Sequence, residues 1–328
     1  MKFTPKYLQG IAQETVDRRA KDSFDILAAY VWGSLVTEQD PLLGDTTDID
    51  IVFIHNEPPE ERREIQRLTE QIHLDISHHP QKLYLDGKAL RIDPRMGPSL
   101  YNAKALHDPQ HFVNYMLSGV RAMFHRPDYV IKRVRPLVKE ARRQWLELQT
   151  PPIEDSRKNV NHYLDILRSA ANAVALLNGE ILTERRFLRS FAKQTQTLER
   201  PELYAGLLGL LGSSQVGVDT LQDWVSAWER DFDAIPDEQR PPKLHRYRRE
   251  YYLQAFKAHL ESEQPKDVLW PLLRTWCQAA TANPTNWQET CYALELMGPG
   301  FSERLQGLDL YLEQIEELTE TWARENGA

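Results

Sequence analysis

The chain has 328 residues, 41% of them hydrophobic, with 15 glycines and 20 prolines, a composition that is typical of a folded globular protein and excludes a low-complexity chain. Its net charge of −8 argues against a dedicated nucleic-acid-binding protein, which needs a basic excess to neutralise phosphates, and favours a cationic small substrate. Two cysteines exclude a disulfide framework and an all-cysteine zinc site, and the lack of a long apolar run excludes a membrane span, so we expect a cytoplasmic protein.

The first third of the chain mixes helical and strand patterns. Charged amphipathic runs predict two helices, at Leu8–Ser23 and Glu60–Gln71. Short apolar or alternating runs predict four strands, at Asp25–Trp32, Asp48–Ile54, Gln71–Ser77 and Ala103–Leu106. This mixture predicts an N-terminal domain built from both strands and helices.

After about Phe112 the pattern is almost entirely helical. A long basic helix is predicted over Tyr129–Gln149, and Thr150-Pro151-Pro152 ends it because proline lacks an amide donor and restrains the residue before it. Helical periodicity then continues at Arg157–Leu177, Thr183–Thr197, Glu202–Leu211, Asp219–Phe232, Arg246–Ser262, Pro265–Thr281, Asn286–Met297 and Ser302–Glu325. The predicted layout is therefore one domain over residues 1–149 and an all-helical domain over residues 150–328.

Two aspartates alternate with isoleucines along the second predicted strand. Successive side chains of a strand point to opposite faces, so Asp48 and Asp50 share one face while Ile49 and Ile51 point into the core. Two carboxylates about 6–7 Å apart on one strand repel each other unless a cation lies between them. Hard oxygen ligands select Mg²⁺ or Mn²⁺, so the pair predicts a site for a divalent ion.

The third predicted strand repeats this arrangement with Asp75, which shares a face with His73 and Ser77. If this strand lies beside the Asp48 strand, three carboxylates converge on one edge. Such a set can bind two metal ions about 3.5–4 Å apart. Asp75 is therefore predicted to be either a third metal ligand or a general base toward an acceptor hydroxyl.

The first predicted strand ends at Gly33-Ser34, and thirteen residues separate this dipeptide from Asp48. A glycine at a turn between a strand and a helix permits close approach of the backbone to a ligand. The serine hydroxyl and the neighbouring amides can then hold a terminal phosphate. Gly33 and Ser34 are therefore predicted to bind a nucleotide.

In this order, Trp32-Gly33-Ser34, Asp48-Ile49-Asp50-Ile51 and Leu74-Asp75-Ile76 resemble the motif of the nucleotidyltransferase superfamily with a DNA polymerase β-type palm. With Ala105-Leu106-His107-Asp108-Pro109 and the helical second half, the chain looks most like the aminoglycoside nucleotidyltransferase branch. Two positions depart from the family pattern. Leu35-Val36-Thr37-Glu38 stands where members often carry Arg-Gly, and Thr47 replaces the common serine before the aspartate pair.

The resemblance implies an α+β protein in which a polymerase β-like palm, a mixed sheet with flanking helices, precedes a helical bundle that closes the cleft over the acceptor. It implies catalytic and metal-binding roles for Asp48, Asp50 and Asp75, and nucleotide binding by Gly33 and Ser34. The implied cofactors are two Mg²⁺ ions, or Mn²⁺, with ATP or another nucleoside triphosphate as the donor.

The implied reaction moves a nucleoside monophosphate, AMP from ATP by preference, onto a hydroxyl of a small acceptor and releases pyrophosphate. The acidic net charge favours a cationic acceptor, such as an aminoglycoside-like compound. Two alternatives remain open, namely a transferase that acts on a protein or an RNA, and a non-catalytic nucleotide-binding regulatory module. We expect neither a nucleic-acid nor a membrane partner.

For His73 and for the segment His245–Tyr252 we prefer a structural role to a functional one. His73 is expected to be a solvated histidine that contributes little to the reaction. The segment His245–Tyr252 interleaves cations with aromatic rings, a pattern that can stack on and neutralise a nucleic acid. We interpret this segment instead as the start of a solvated helix.

Overall fold

The computed structural model of the protein describes residues 3–149, 156–279 and 284–328. The chain forms two compact units, Met1–Phe124 and His125–Ala328. The first unit contains a five-stranded sheet, and the second is mostly helical, so the protein is α+β. The boundary predicted at Thr150-Pro151-Pro152 lies outside the described residues.

The sheet of the first unit has the strand order β3-β4-β2-β1-β5. Its strands are β1 (Ile26–Trp32), β2 (Thr47–His55), β3 (Arg63–Arg67), β4 (Ile72–Pro80) and β5 (Lys104–His107). β2 and β4 pair in parallel and the other neighbours pair antiparallel, so the sheet is mixed. All four predicted strands are confirmed, because runs rich in β-branched residues pack well on a pleated surface.

The helix predicted over Glu60–Gln71 is wrong, because its central part forms the edge strand β3. Leu68 and Thr69 donate their amides to the carbonyl of Ile72, and this turn folds β3 back antiparallel onto β4. Charged residues tolerate the edge of a sheet, where half of the backbone groups face solvent. Pairing with β4 therefore overrides the local preference of this charged run for a helix.

Helices cover both faces of the sheet in the first unit. They are α1 (Pro5–Asp22), α2 (Ser34–Thr37), α3 (Gly87–Ile92), α4 (Met96–Asn102) and α5 (Phe112–Arg121). The α1 helix begins after Thr4, whose hydroxyl accepts the amide of Tyr7 at 3.2 Å, and it packs Leu8, Ala12 and Val16 on one face. Residues of α3, α4 and α5 form a second core on the opposite face.

A chain of hydrogen bonds runs along the α1 face of the sheet. His55 Nδ1 lies 2.8 Å from Asp25 Oδ2, and His55 Nε2 lies 2.9 Å from His78 Nδ1. His78 Nε2 lies 3.1 Å from Glu64 Oε1, and Arg19 of α1 donates to the same oxygen. These hydrogen bonds therefore link five elements: the start of β1, the end of β2, strand β4, strand β3 and helix α1.

The two carboxylates in this chain of hydrogen bonds, Asp25 and Glu64, both have lowered pKa values. Burial acts to raise the pKa of Asp25, but hydrogen bonds from a backbone amide and from His55 outweigh it and lower the pKa below its usual value. Burial likewise acts to raise the pKa of Glu64, but hydrogen bonds from Arg19 and His78 outweigh it and lower that pKa. Both groups are therefore ionised near neutral pH.

The second unit is built from α6 (Pro127–Leu148), α7 (Ser156–Leu177), α8 (Phe187–Thr197), α9 (Glu202–Leu210), α10 (Val218–Asp233), α11 (Arg249–Leu260), α12 (Leu269–Ala279), α13 (Pro284–Ala293) and α14 (Phe301–Asn326). The α6 helix, predicted within the 1–149 domain, groups with this unit: Arg142 donates to Glu316 at 2.8 Å and also pairs with Asp309, both on α14. Cys277 and Cys291 are buried free thiols. Among the described residues, no helix is long and apolar enough to cross a bilayer.

Candidate active site

Gly33 follows β1 directly and begins the turn into α2. Its φ of 75° and ψ of −157° lie in a region that is open essentially to glycine alone. A Cβ at this position would lie 2.3 Å from Asp50 Oδ2 and 3.1 Å from Asp50 Cγ. The backbone of the turn therefore lies directly against the Asp50 carboxylate, and no larger residue fits without a shift.

The predicted carboxylates meet on one face of the sheet. In the parallel pair of β2 and β4, Asp48 lies opposite His73 and Asp50 lies opposite Asp75. Partners in register point to the same face, so the three aspartates share the face opposite α1. Asp48 and Asp75 are both buried, each with 8% of its surface exposed. The structure therefore brings together the residues that the spacing singled out.

Arg63 is a site residue that the sequence did not reveal. Its Nε donates to Asp75 Oδ1 at 2.7 Å and its Nη2 donates to Asp75 Oδ2, so the guanidinium engages both oxygens of the carboxylate. The Arg63 side chain is 44% exposed, whereas that of Asp75 is only 9% exposed. Arg63 therefore covers Asp75 from the solvent side and neutralises its charge.

The expectation of a solvated His73 is wrong. This side chain is fully buried, and its Nδ1 lies 3.8 Å from Asp48 Oδ1. The strand pairing places His73 beside Asp48 in the interior of the sheet, so the histidine belongs to the surroundings of the aspartate pair. A mutation of His73 would therefore alter the packing of Asp48 as well as its electrostatics.

Ser34 and Thr47 connect the turn to the start of β2. Their hydroxyl oxygens lie 3.5 Å apart, and the Thr47 hydroxyl donates to the carbonyl of Asp48 at 3.1 Å. The amide of Val36 donates to the Gly33 carbonyl at 3.0 Å and closes the first turn of α2. Thr47 thus takes part in positioning both Ser34 and Asp48.

The carboxylates of Asp48 and Asp50 supply the hard oxygen donors that Mg²⁺ or Mn²⁺ prefers, and the backbone of the glycine turn lies against Asp50. Within residues 3–149, 156–279 and 284–328, no group of three or more His, Cys, Asp or Glu side chains is arranged to hold a metal ion. The ion pair with Arg63 engages the third carboxylate, Asp75. Metal binding by Asp48, Asp50 and Asp75 stays a prediction.

The basic and aromatic segment His245–Tyr252 starts a helix, as expected, because α11 begins at Arg249, but the segment is only partly solvated. Arg248 is 3% exposed, and Tyr251 and Tyr252 are buried. The guanidinium carbons of Arg185 and Arg248 lie 3.6 and 4.0 Å from the centre of the Tyr251 ring. This Tyr251 face is therefore covered by protein and does not offer a stacking surface for a base.

No family model matches the chain, and no curated protein matches it. The sheet face that carries Asp48, Asp50 and Asp75 is therefore the basis of the functional assignment.

Proposed function

We propose that the protein is a Mg²⁺-dependent nucleotidyltransferase that moves AMP from ATP onto a hydroxyl of a small acceptor. The observation that carries this proposal is the contact between the Gly33 turn and the Asp50 carboxylate, on the face that Asp48 and Asp75 share. Only glycine can form this turn, and the turn lies beside the carboxylate pair. Its backbone, which carries no side chain at Gly33, is proposed to let a phosphate chain approach the carboxylates.

Asp48 and Asp50 are the residues proposed to hold Mg²⁺. When bound, this ion neutralises charge on the triphosphate and polarises its oxygens. The backbone of Gly33 gives the phosphates access to the carboxylate face, and the Ser34 hydroxyl is proposed to donate a hydrogen bond to a phosphate oxygen. Thr47 supports both groups through its contacts with Ser34 and the Asp48 carbonyl.

In the proposed reaction, the acceptor oxygen bonds to the α-phosphorus while the bond between that phosphorus and the bridging oxygen of the β-phosphate breaks. Pyrophosphate leaves with the electron pair of the broken bond. The proton of the acceptor hydroxyl passes to the Asp75 carboxylate as general base. Arg63 donates one hydrogen bond to each oxygen of Asp75, and each oxygen keeps a second lone pair that can accept the proton.

The same ion pair favours one alternative, a nucleotide-binding regulatory module without catalysis. If Arg63 keeps Asp75 neutralised throughout, the remaining pair of Asp48 and Asp50 binds a metal-nucleotide but Asp75 does not accept the proton. Such a module would bind ATP with Mg²⁺ and release no pyrophosphate.

Pyrophosphate release tests the proposal and separates it from the alternative. The full-length protein is assayed with ATP and Mg²⁺ alone and then with a panel of hydroxylated acceptors, cationic aminoglycosides among them. Asp50→Asn is expected to abolish release while its thermal midpoint stays at or above that of the wild type, because repulsion between the carboxylates is relieved. Asp17→Asn, the same chemical change on the exposed side of α1, serves as the matched control and is expected to keep full activity.

Full turnover in Asp50→Asn would refute the proposed metal role. Nucleotide binding without any release, across all acceptors, would favour the regulatory module. Binding is followed by thermal shift, since a ligand at a hundredfold excess over its Kd adds about 2.7 kcal/mol to the free energy of unfolding. The shift is expected with ATP and Mg²⁺ and not with ATP and a chelator.

A further inference from the structure

Trp32 is the last residue of β1 and directly precedes the Gly33 turn. In the antiparallel pair of β1 and β2 it lies opposite Asp50, which in turn lies opposite Asp75 of β4. Partners in register point to the same face, so the indole shares the face of the carboxylates. Because β2 separates β1 from β4, Trp32 lies on the side of Asp50 that is away from Asp75, at about 10 Å from Asp75 across two strand spacings.

The second core ends at Trp32. Two residues earlier on β1, Tyr30 points to the same face and is 3% exposed, and its register partner Val52 is 2% exposed. Trp32 packs against this core but is only partly buried. One part of the residue therefore covers apolar side chains, and another part stays accessible to solvent on the face that carries the aspartates.

The indole of Trp32 has no hydrogen bond and no ring contact with any residue in the described part of the chain. Tryptophans of the second unit differ in this respect. Trp145 donates its indole N–H to the Leu305 carbonyl at 3.1 Å, and Trp276 donates its own to Asp231 Oδ2 at 2.7 Å. Aromatic surface on an exposed strand end, without a polar partner in the protein, can accept the flat face of a ligand.

We propose that Trp32 is the surface against which the nucleoside of the donor nucleotide packs, an inference that rests on the proposed nucleotidyl transfer. In that reaction the phosphates lie at the Gly33 turn, and Asp75 takes the proton of the acceptor. The acceptor therefore approaches on the Asp75 side of Asp50, and the space beside Trp32 is left to the nucleoside. Every base has a π-face, so this contact favours nucleotides over bare polyphosphates and discriminates little among bases.

The test compares ATP with inorganic tripolyphosphate, which lacks the nucleoside, in calorimetric titrations of the full-length protein with Mg²⁺. Trp32→Leu is expected to weaken ATP binding by at least about fivefold, because stacking of one base on an aromatic side chain contributes a factor of about 5–150. The affinity for tripolyphosphate should stay within about twofold of the wild type, since the phosphates do not contact the indole. Trp32→Phe keeps an aromatic ring and is expected to retain most of the affinity for ATP.

Trp224→Leu is the matched control, because it makes the same change at a partly buried tryptophan of α10. It is expected to leave both affinities unchanged. Fluorescence gives a second readout, since Trp32 is the one tryptophan in the sequence of the first unit. The difference in emission between the wild type and Trp32→Phe should change on addition of ATP with Mg²⁺ and not on addition of tripolyphosphate with Mg²⁺. This readout carries the test if Trp32→Leu fails to fold.

Unchanged ATP affinity in Trp32→Leu, with a wild type that binds both ligands, would overturn this inference and leave the proposed function standing. An equal loss for ATP and tripolyphosphate would also overturn it, because the substitution would then act on the phosphate turn. A change confined to the KM of the acceptor would place Trp32 on the acceptor side and overturn the inference as stated. If the wild type binds neither ligand with Mg²⁺, the proposed function fails and this inference fails with it.

Discussion

Gly33→Ala is the substitution whose effect on the free energy of unfolding follows most directly from the structure. The backbone at φ 75° and ψ −157° costs a residue with a side chain about 1–3 kcal/mol. The new Cβ would also lie 2.3 Å from Asp50 Oδ2, so the carboxylate or the turn must move. We expect a loss of about 2–3 kcal/mol in the free energy of unfolding, which lowers the Tm by roughly 6–10 °C.

Denaturant and thermal unfolding measure this loss, and two further variants identify its source. Gly10→Ala lies in the middle of α1 with nothing within 4 Å of the added Cβ, so it is expected to stabilise the protein by up to about 1 kcal/mol. In Gly33→Ala/Asp50→Ala the contact is removed and the backbone cost remains, so the double variant should lose less than the sum of the single variants. A Gly33→Ala protein that unfolds within about 0.5 kcal/mol of the wild type would refute the reasoning.

Three further predictions concern the ionisable groups of the first unit. Arg63→Gln is expected to lower the free energy of unfolding by less than about 1 kcal/mol, since the arginine side chain is 44% exposed. The same variant is expected to bind Mn²⁺ more tightly in a titration, because Arg63 no longer competes with the metal ion as a cation beside the carboxylates. Weaker Mn²⁺ binding would contradict this competition. Asp75→Asn is expected to lower kcat by about 10²–10⁴-fold with only a several-fold change in the affinity for ATP and Mg²⁺, and unchanged kcat would argue against a general base. The pKa values of Asp25 and Glu64 are lower in the folded state, so their contribution to stability is complete above about pH 5 and is lost as the pH falls through the folded pKa values. The free energy of unfolding, measured at pH 3 and at pH 6, gives the size of this contribution. Asp25→Asn should show a smaller difference between the two pH values than the wild type, and an equal difference would contradict the assignment.

The strands that carry the site could be predicted from the sequence because their patterns are local. In Asp48-Ile49-Asp50-Ile51, alternation alone tells which side chains share a face, and Gly33-Ser34 marks the end of a strand. The convergence with Asp75 required the further assumption that β2 and β4 are neighbours. The parallel register confirms that assumption.

The features that the sequence did not predict depend on contacts between distant segments. Arg63 faces Asp75 only because β3 forms a hairpin with β4, and a charged run of this length also fits a helix. The run Arg63–Arg67 contains a single apolar residue, Ile65, so no alternation of apolar and polar residues marks it as a strand. A cavity of about 360 Å³, lined by Asn161 of α7 and Arg274 of α12, likewise depends on the packing of these two helices, which no spacing in the sequence indicates.

The hydrogen-bond chain on the α1 face makes its members depend on one another. Both end carboxylates, Asp25 and Glu64, are ionised and can only accept, so each histidine ring donates its outer N–H to one of them. The inner nitrogens of the two rings, His55 Nε2 and His78 Nδ1, lie 2.9 Å apart. Loss of either ring would therefore separate the end of β2 from β4 and leave a carboxylate at one end of the chain without its histidine donor.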